Sequence, residues 1–493
     1  MSPDPQQNSN GVPPHFIVIV PGYMGSRLRD TKTGELIWID FSTIPINPLK
    51  WDDWLNNLFT KMEYPNEDLQ PDGIVDEVVF VPPWAKQEQY GRLVIALEKM
   101  GYRADPQKYS EEQRNLYTFS YDWRQDNRIS GRQLGEAVER WSNFHPGAKA
   151  WLIAHSNGGI VSRWYIEKEG GKDKVGKLFL MGSPWDGAPK AVRMLYGGLD
   201  SLFRRGFNLF NIQARTRDLI RTFPSAYQLI PVVNPFLHNA NNEVIDIFSG
   251  QGWINKPEHL TFLQDAKKFN LELGTELSVE TLCFFGRKLP TTTAGMVRLQ
   301  AGGDWSGIDW AATEAGDGTV PERSAVNPNA QEKLPFLVSH GDIYVNPSVL
   351  EILQWELMDK YMQGIGLAER AAITTQHLSI VFEPSEDGYS PGDSIDMWAE
   401  VQEIDGTQVK DAKIQVQMVW REALPGEQQT EPSGPLPSGR LWPDEQKPGR
   451  YEGSLQAPDT QGYYLVRAIV NVQGESPVVL DEMIIVEALP ELS

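Results

Sequence analysis

The sequence predicts an α/β domain with a mainly parallel sheet, followed by a second domain built only of β-strands. From His15 to about Ala372, short apolar runs alternate with helical patterns, which is typical of strands buried on both faces of a parallel sheet. After Ile373 the helical periodicity disappears, and alternating strands are separated by turn signals. Seven or so short strands over roughly 115 residues favour an immunoglobulin-like β-sandwich, although the Cys-Trp-Cys signature of antibody domains is missing.

The individual elements follow from the same patterns. The predicted strands of the first domain are HFIVIV (15–20), VVFV (78–81), LYTFSY (116–121), AWLIA (150–154), KLFLMG (177–182), LCFFG (282–286) and LPFLV (334–338). Helices are predicted at Tyr90–Met100, Ser130–Phe144 and Gly158–Glu169. The second domain has the strands HLSIVF, SIDMWAEV, KIQVQMVW, RYEGSL, YYLVRAIVNV and VVLDEMIIV. We therefore expect a disordered tail over residues 1–14, an α/β domain over 15–373 and a β-sandwich over 374–493.

Composition excludes several classes of protein. The chain has 493 residues, with 45 Lys and Arg against 66 Asp and Glu, so its formal net charge is −21. Such a charge repels nucleic acid, and no apolar run approaches the roughly 18 residues of a membrane-spanning helix. The lone cysteine, Cys283, forms no intramolecular disulfide and offers no cysteine-based zinc site. Because the N-terminus also lacks a signal-peptide pattern, we expect a cytoplasmic protein.

Ser156 lies in a setting that is typical of a nucleophile elbow. The segment AWLIAHSNGGIVSRWYIE (150–167) predicts a buried strand, a sharp turn and an amphipathic helix, with Ser156 at the turn. A strained turn of this kind needs small residues two positions before and two positions after the serine. Ala154 and Gly158 supply them, so Ser156 is the predicted nucleophile.

A second serine matches the strict Gly-x-Ser-x-Gly string better, in the segment GYSPG (388–392). This segment lies in the predicted sandwich, where it indicates a turn. Pro391 has no N–H for an oxyanion hole, and no helix follows it. Ser390 is therefore not expected to be a nucleophile.

An aspartate and a histidine further along the chain complete the predicted site, because a serine hydroxyl needs an imidazole base and a carboxylate that holds the imidazole. On a sheet of this type the order is serine, acid, histidine. His340 follows the strand LPFLV, whereas the alternative His377 begins the sandwich, so His340 is the predicted base. Asp317, in the glycine-flanked loop AGDGTVP, is the predicted acid. Other aspartates nearby remain alternatives: Asp304, Asp309 and Asp342.

Two backbone amides are predicted to bind the oxyanion of a tetrahedral intermediate. One is the N–H of Asn157, directly after the nucleophile. The other is expected in the loop of HFIVIVPGYMGS, where Gly22 and Gly25 allow close approach and Tyr23 offers its amide. The same loop is equally compatible with an ordinary glycine turn after an edge strand.

Five segments occur in a fixed order before the His340 loop: VPGYMGS (20–26), SYDWR (120–124), AHSNGG (154–159), PSAYQLIP (224–231) and GDGTVP (316–321). In these segments and in their order, the chain resembles the lecithin:cholesterol acyltransferase family. This family includes lysosomal phospholipase and phospholipid:diacylglycerol acyltransferases. The resemblance implies an α/β-hydrolase fold with a helical cap, and an acyl-serine formed from a lipid ester and passed to water or an alcohol. By position it implies the nucleophile Ser156, the acid Asp317, the base His340 and the oxyanion amides of Tyr23 and Asn157.

Three features depart from that family. Secreted members staple a lid with a disulfide, for which this chain has no second cysteine. Asp186, in GSPWDG, stands where the family usually has a small residue. The sandwich after residue 374 has no counterpart in the mammalian members. The missing disulfide leads us to expect that access to the site is controlled differently, and the other two departures weaken any transfer of substrate identity from the family.

Two aromatic segments are candidates for contact with lipid. One helix face, next to the predicted oxyanion loop, carries Trp51, Trp54, Leu55, Leu58 and Phe59. The segment 192–210 carries Phe203 and Phe207 beside two arginines, inside an insertion at about 187–280 where a cap or lid is expected. Core packing explains the first segment at least as well, and a fixed helical cap explains the second equally well.

These observations predict a cofactor-free, metal-free serine hydrolase or acyltransferase for lipid-like carboxylic esters, working at a micelle or membrane interface. A small-ester esterase or a thioesterase on the same fold stays open. A hypothesis from another class is a degenerate hydrolase that binds a protein or glycan through its sandwich. Arg124 fits either an anion site or a buried network with Asp122, and His155 is expected to be a hydrogen-bonded neighbour of the nucleophile.

Overall fold

The computed structural model describes residues 15–38, 51–75, 90–198, 212–357, 378–385, 388–403, 407–422, 432, 434–473 and 478–487. The tail predicted over residues 1–14, the strand predicted at 78–81 and the domain boundary near residue 374 lie outside these ranges. His377, Phe203 and Phe207 also lie outside them.

The first part of the chain alternates strands and helices. Its strands are β1 (His15–Val20), β2 (Ser26–Asp30), β3 (Leu36–Trp38), β4 (Leu69–Ile74), β5 (Leu116–Thr118), β6 (Lys149–His155), β7 (Val175–Met181), β8 (Leu237–His238), β9 (Glu280–Gly286), β10 (Thr291–Leu299), β11 (Trp305–Thr313) and β12 (Glu332–Phe336). The helices are α1 (Trp51–Met62), α2 (Tyr90–Lys99), α3 (Asn127–Ser142), α4 (Asn157–Lys168), α5 (Pro189–Gly197), α6 (Ile212–Ile220), α7 (Pro224–Gln228), α8 (Pro257–Leu273), α9 (Glu322–Ala325) and α10 (Pro347–Leu357).

Six of these strands form the central sheet, in the order β12-β9-β7-β6-β1-β5, and all neighbours are parallel. Every residue of β1 is buried, because alternate side chains enter two different cores. Phe16 and Val18 pack on the side of α3, α4, α5 and α8, whereas Ile17 and Ile19 pack on the side of α2 and α10. The predicted α/β domain with a parallel sheet is therefore confirmed.

Two small sheets are absent from the sequence-based prediction. The strands β2, β3 and β4 form one, and the hairpin of β10 and β11 with β8 forms the other. Their exposed faces are polar and their hydrophobic pattern is weak, so local periodicity gave no strand signal. The predicted strand at 116–121 is shorter than expected, because Tyr121 leaves the sheet edge and donates a hydrogen bond to the carbonyl of Pro21.

The C-terminal part is antiparallel apart from one edge pair. Its strands are β13 (Leu378–Pro384), β14 (Gly388–Tyr389), β15 (Ser394–Glu403), β16 (Lys413–Glu422), β17 (Ser438–Pro443), β18 (Arg450–Gln456), β19 (Gly462–Asn471) and β20 (Val478–Val486). They pair in the order β13-β15-β18-β17-β16-β19-β20-β14, with β14 and β20 parallel. The strands on either side of β17 form two groups, β13-β15-β18 and β16-β19-β20-β14, and residues of both groups share one hydrophobic core. Strand β17 joins the two groups by pairing with β16 and then with β18. The immunoglobulin-like type stays a prediction.

Candidate active site

Ser156 sits at a strained turn between β6 and α4. Its backbone angles, φ of 50° and ψ of −124°, lie in a region that residues other than glycine rarely adopt. Small neighbours are required here, because a Cβ on Gly158 would come 2.4 Å from the carbonyl oxygen of Val20. A Cβ on Gly159 would come 1.9 Å from the hydroxyl of Ser183. The turn therefore projects Ser156 from the carboxyl end of the central sheet.

The three side chains predicted as nucleophile, base and acid form a continuous hydrogen-bonded chain. Ser156 Oγ lies 3.0 Å from His340 Nε2, and His340 Nδ1 lies 2.8 Å from Asp317 Oδ2. Since a carboxylate only accepts, Nδ1 donates to Asp317 and Nε2 is left to accept from the serine hydroxyl. The buried Asp317 also accepts the amides of Thr319 and Val320 at 2.9 and 2.6 Å, which fix its orientation.

The alternative acids have other partners. Asp309 pairs with Arg298 at 3.5 Å on the exposed hairpin. Asp342 accepts a hydrogen bond from the hydroxyl of Ser339. The backbone carbonyl of Asp304 accepts the amide of Gln300 in the hairpin turn. Among the described aspartates, Asp317 is thus the one that the geometry brings to His340.

Sheet topology explains how these distant residues meet. Ser156 follows β6 and His340 follows β12, while Asp317 follows β9 after the inserted hairpin of β10 and β11. The carboxyl ends of parallel strands share one edge, so the loops after them converge there. Gly182, after β7, lies directly against the Asp317–His340 pair, because a Cβ there would be 3.2 Å from both Asp317 Oδ2 and His340 Nδ1.

A lysine lies close behind the acid. Lys190 Nζ donates a hydrogen bond of 3.0 Å to Thr319 Oγ1, and the amide of Thr319 binds Asp317. Burial lowers the pKa of Lys190, while the negative charge of Asp317 acts in the opposite direction. Lys190 is therefore a cationic group within electrostatic range of the Asp317 carboxylate.

The two predicted oxyanion amides lie on adjacent loops. Strand β1 pairs with β6 so that Val20 faces Ala154, and Tyr23 and Asn157 each follow three residues later. Asn157 is the first residue of α4, where backbone N–H groups have no acceptor within the helix. The loop of Tyr23 is closed by a hydrogen bond of 3.0 Å from the Gly25 amide to the Gly22 carbonyl, and Met24 has a φ of 64°.

A buried polar network joins these two loops. Asn157 Nδ2 donates to Tyr121 Oη at 3.1 Å and to Asn127 Oδ1 at 2.9 Å. Tyr121 Oη donates in turn to the carbonyl of Pro21 at 2.9 Å. The amide of Asn127 donates to Gln228 Oε1 at 2.8 Å. Sequence reasoning missed these positioning roles, although Tyr121 and Gln228 belong to two of the quoted segments.

His155 forms a second link, which sequence reasoning also did not foresee in full. The amide of Gly22 donates to Tyr90 Oη at 2.7 Å, and Tyr90 Oη lies 2.8 Å from His155 Nδ1. His155 Nε2 lies 3.0 Å from the backbone carbonyl of His340. Because a carbonyl only accepts, Nε2 carries the hydrogen and donates to it. His155 thus connects the loop of the base to the loop of Tyr23.

Arg124 belongs to a buried structural network. Its side chain is fully buried and donates to both carboxylate oxygens of Asp122, at 2.9 and 2.8 Å. It also donates to the carbonyl of Met62 at 3.0 Å. Its donors are thus directed at the protein itself, and this geometry favours the structural alternative over an anion site.

The predicted lid helix forms as α1. Arg215 of α6 donates to Asp52 and Asn56 at 2.6 and 2.7 Å and lies over the ring of Phe59. Elsewhere on α1, Leu55 is buried and Trp54 is partly exposed. The side chain of Trp51 lies outside the described part of the structure, as do Phe203 and Phe207.

Asp186, which departs from the family pattern noted in the sequence, accepts hydrogen bonds from the chain after α7. Its buried carboxylate accepts the amides of Val232, Val233 and Asn234 at 2.9, 2.8 and 2.9 Å. It also accepts Asn234 Nδ2 at 2.7 Å. Asp186 therefore fixes residues 232–234, in the middle of the predicted cap region, to the loop after β7.

Comparison with known proteins identifies the family. A model of the lecithin:cholesterol acyltransferase family matches residues 35–277, which include Ser156. This part of the chain belongs to that family. Asp317 and His340 lie beyond the matched range, so their assignment rests on the geometry described above. Within the described residues, no group of three or more His, Cys, Asp or Glu side chains is arranged to hold a metal ion.

The individual proteins that this chain resembles are distant in sequence. The lysosomal phospholipase A and acyltransferase of Homo sapiens is 23% identical over 335 residues, or 58% of this chain and 75% of that one. Uncharacterized protein YJR098C of Saccharomyces cerevisiae is 30% identical over 152 residues, or 31% of this chain and only 20% of that protein. The solved Tle4-Tli4 complex is similar with a TM-score of 0.51 at 13% identity, covering 70% of this chain and 99% of that one, and shows the fold alone.

The expectation of a cytoplasmic protein is wrong. It relied partly on the absence of disulfides, and the relative from Homo sapiens is named as a lysosomal enzyme. A chain with one cysteine has no pair to oxidise in any compartment, so its cysteine count carries no information about location. None of the helices in the described ranges is long and apolar enough to cross a membrane.

Proposed function

We propose that the protein is a serine-dependent lipid ester hydrolase or O-acyltransferase that works through an acyl-Ser156 intermediate. The proposal rests on one observation above all, the hydrogen-bonded chain from Ser156 through His340 to Asp317. The family match supports the coarser statement that the protein is an enzyme acting on lipid esters.

In the acylation step, His340 Nε2 takes the proton of Ser156 while Oγ forms a bond to the ester carbonyl carbon. The carbonyl electron pair moves onto oxygen, which the amides of Tyr23 and Asn157 bind as an oxyanion. The pair then returns, the bond to the alcohol breaks, and His340 gives its proton to the leaving oxygen. Asp317 stabilises the imidazolium during this transfer.

The deacylation step repeats the same movements with a new nucleophile. His340 removes a proton from water or from an alcohol, whose oxygen attacks the acyl carbon of Ser156. When the tetrahedral intermediate collapses, the proton returns to Ser156 Oγ, and a free acid or a new ester leaves. Hydrolysis and transfer therefore differ only in the acceptor.

The division of the chain and the lid belong to the same proposal. We place the catalytic domain at residues 15–373, its cap at about 187–280 and an immunoglobulin-like domain at 374–493. Side chains proposed to face lipid are those of Trp51, Trp54, Phe203 and Phe207. The contact of Arg215 with α1 supports a cap that includes this helix. Higher turnover of micellar than of monomeric ester is expected, and equal turnover would remove the interfacial part.

A lipid-ester screen tests the proposal. Wild type is expected to hydrolyse a long-chain lipid ester, and Ser156→Ala is expected to lose this turnover. Ser390→Ala is the matched control, because Ser390 fits the same sequence string but lies in a turn closed by Asp393. Retained turnover in Ser156→Ala contradicts the serine mechanism, and turnover of only thioesters or short esters favours the alternative substrates.

A second arm of the assay separates transfer from hydrolysis. A long-chain alcohol is added, and products are identified by mass spectrometry. A new ester identifies an acyltransferase, whereas free acid alone identifies a hydrolase.

A further inference from the structure

The C-terminal β-domain, formed by β13–β20, contacts the catalytic domain close to the proposed site. Trp398 of β15 packs on a small buried cluster made of Leu289 and Leu337. Nearby, Lys288 Nζ donates a hydrogen bond of 2.7 Å to the side-chain oxygen of Gln402, which is 1% exposed. One apolar and one polar contact therefore tie the same strand of the β-domain to the catalytic domain.

One of the leucines pairs with the acid, and the other lies on the segment that leads to the base. Leu289 forms a parallel bridge with Asp317, and its amide donates to the carbonyl of Gly316 at 3.0 Å. Leu337 follows β12, three residues before His340. The amide of His340 donates to the carbonyl of Asp317 at 2.9 Å, so the two segments are also joined to each other. A shift of either leucine would thus be transmitted to the Asp317–His340 pair.

One residue at this contact, Lys288, has a left-handed backbone conformation. Lys288 has a φ of 66°, which is costly for a residue with a Cβ and persists where the surroundings fix it. Its side chain is fixed by Gln402. The indole of Trp398 also has a cationic partner, because the guanidinium of Arg450 lies 4.4 Å from its ring centroid.

We propose that the β-domain is a positioning element of the active site. Trp398 and Gln402 hold the turn at residues 286–289 and the end of β12, and thereby keep Asp317 and His340 at hydrogen-bonding distance. This inference rests on the proposed function. It gives the C-terminal domain a role inside the chain, in which Trp398 is a positioning residue that does not touch substrate.

The test compares Trp398→Ala with Trp442→Ala in the full-length protein. Trp442 lies in the same domain but is 65% exposed, so its removal controls for loss of a tryptophan without loss of this contact. Trp398→Ala is expected to lower kcat about tenfold or more with little change in KM, because small misplacements of catalytic groups are costly. The acid limb of its pH–rate profile should move to lower pH, since His340 loses part of the support of Asp317. Trp398→Phe should restore most of kcat.

Two further variants keep the test decisive if Trp398→Ala fails to fold. Gln402→Ala and Lys288→Met each remove the polar contact and are expected to lower kcat in the same direction, measured at a temperature below the thermal unfolding transition of each variant. If Trp398→Ala folds, or if these two variants are used in its place, and the kcat and pH profile equal those of Trp442→Ala, the inference is overturned. A wild type without turnover and without labelling of Ser156 refutes the proposed function instead, and the inference falls with it.

Discussion

His155 Nε2 lies 3.0 Å from the backbone carbonyl oxygen of His340, although 185 positions separate the two residues in the chain. The other ring nitrogen of His155 reaches Tyr90 Oη, which accepts the amide of Gly22. The residue before the proposed nucleophile therefore links two loops of the site. Through it, the position of the base depends on the position of the oxyanion loop.

Removing this link should slow catalysis without unfolding the protein. In His155→Leu, the carbonyl of His340 and the hydroxyl of Tyr90 lose a partner, so the base is held less firmly. We expect kcat to fall about tenfold or more while KM changes little, as steady-state kinetics on a lipid ester would measure. Tyr90→Phe removes only the hydroxyl and should have a smaller effect. Equal kcat in wild type and folded His155→Leu would argue against a positioning role.

Asp317→Asn should lower kcat far more than its matched control, Asp309→Asn. An amide in this place can donate to His340 Nδ1 and so favours the tautomer that cannot accept the serine proton. We expect kcat to fall by roughly three to four orders of magnitude. Asp309→Asn serves as control, because Asp309 pairs with Arg298 on the hairpin. A comparable loss in both variants, or little loss in Asp317→Asn, would contradict the assignment of the acid.

Asp186→Ala is expected to reduce stability. The substitution leaves three partly buried backbone N–H groups and one side-chain amide without their acceptor. The free energy of unfolding should fall by about 3 kcal/mol or more, measured by urea denaturation. Asp218→Ala, at an exposed site beside Arg217, should change it by less than about 0.5 kcal/mol. If both variants unfold at the same urea concentration as wild type, the hydrogen bonds accepted by Asp186 do not contribute to stability.

The stability of the protein should fall between pH 6.5 and pH 4. Burial lowers the pKa of His15 from 6.5 to about 4, and its ring stacks on Trp151 at 3.7 Å while Nε2 pairs with Tyr102. In this window the unfolded chain binds a proton that the folded chain does not, so acid favours unfolding. The shift corresponds to a loss on the order of 3 kcal/mol. His145 and His259, whose pKa values burial also lowers, act in the same direction.

His15→Phe isolates this contribution. Phenylalanine keeps a ring against Trp151 but has no proton to bind, so the variant should lose less stability than wild type as the pH falls from 6.5 to 4. Urea unfolding at several pH values measures the difference. Parallel curves for the two proteins would show that His15 does not cause the acid sensitivity.

The strands of the central sheet and the order of the three proposed catalytic groups were accessible from the sequence. Runs such as HFIVIV are buried on both faces, and the topology alone brings Ser156 and His340 to one edge. These features depend on local pattern and chain order. The sequence could therefore place the candidate site before any distance was known.

The supporting contacts were not accessible in the same way. Tyr90 and His155 are 65 positions apart, and Trp398 meets Leu289 and Leu337 across a domain contact. No periodicity marks such pairs, because each depends on how whole elements pack. Asp186 illustrates the limit: its sequence position was noted as unusual, but its four donors lie 46 to 48 residues further along the chain.

In the proposed reaction, Ser156 is the residue that becomes acylated. A fluorophosphonate probe followed by peptide mapping tests this most directly, with Ser156→Ala and Ser390→Ala beside wild type. We expect an adduct on Ser156 in wild type and in Ser390→Ala, and none in Ser156→Ala. An adduct on Ser390 or on any other residue, or the absence of an adduct in a protein that hydrolyses esters, would contradict it.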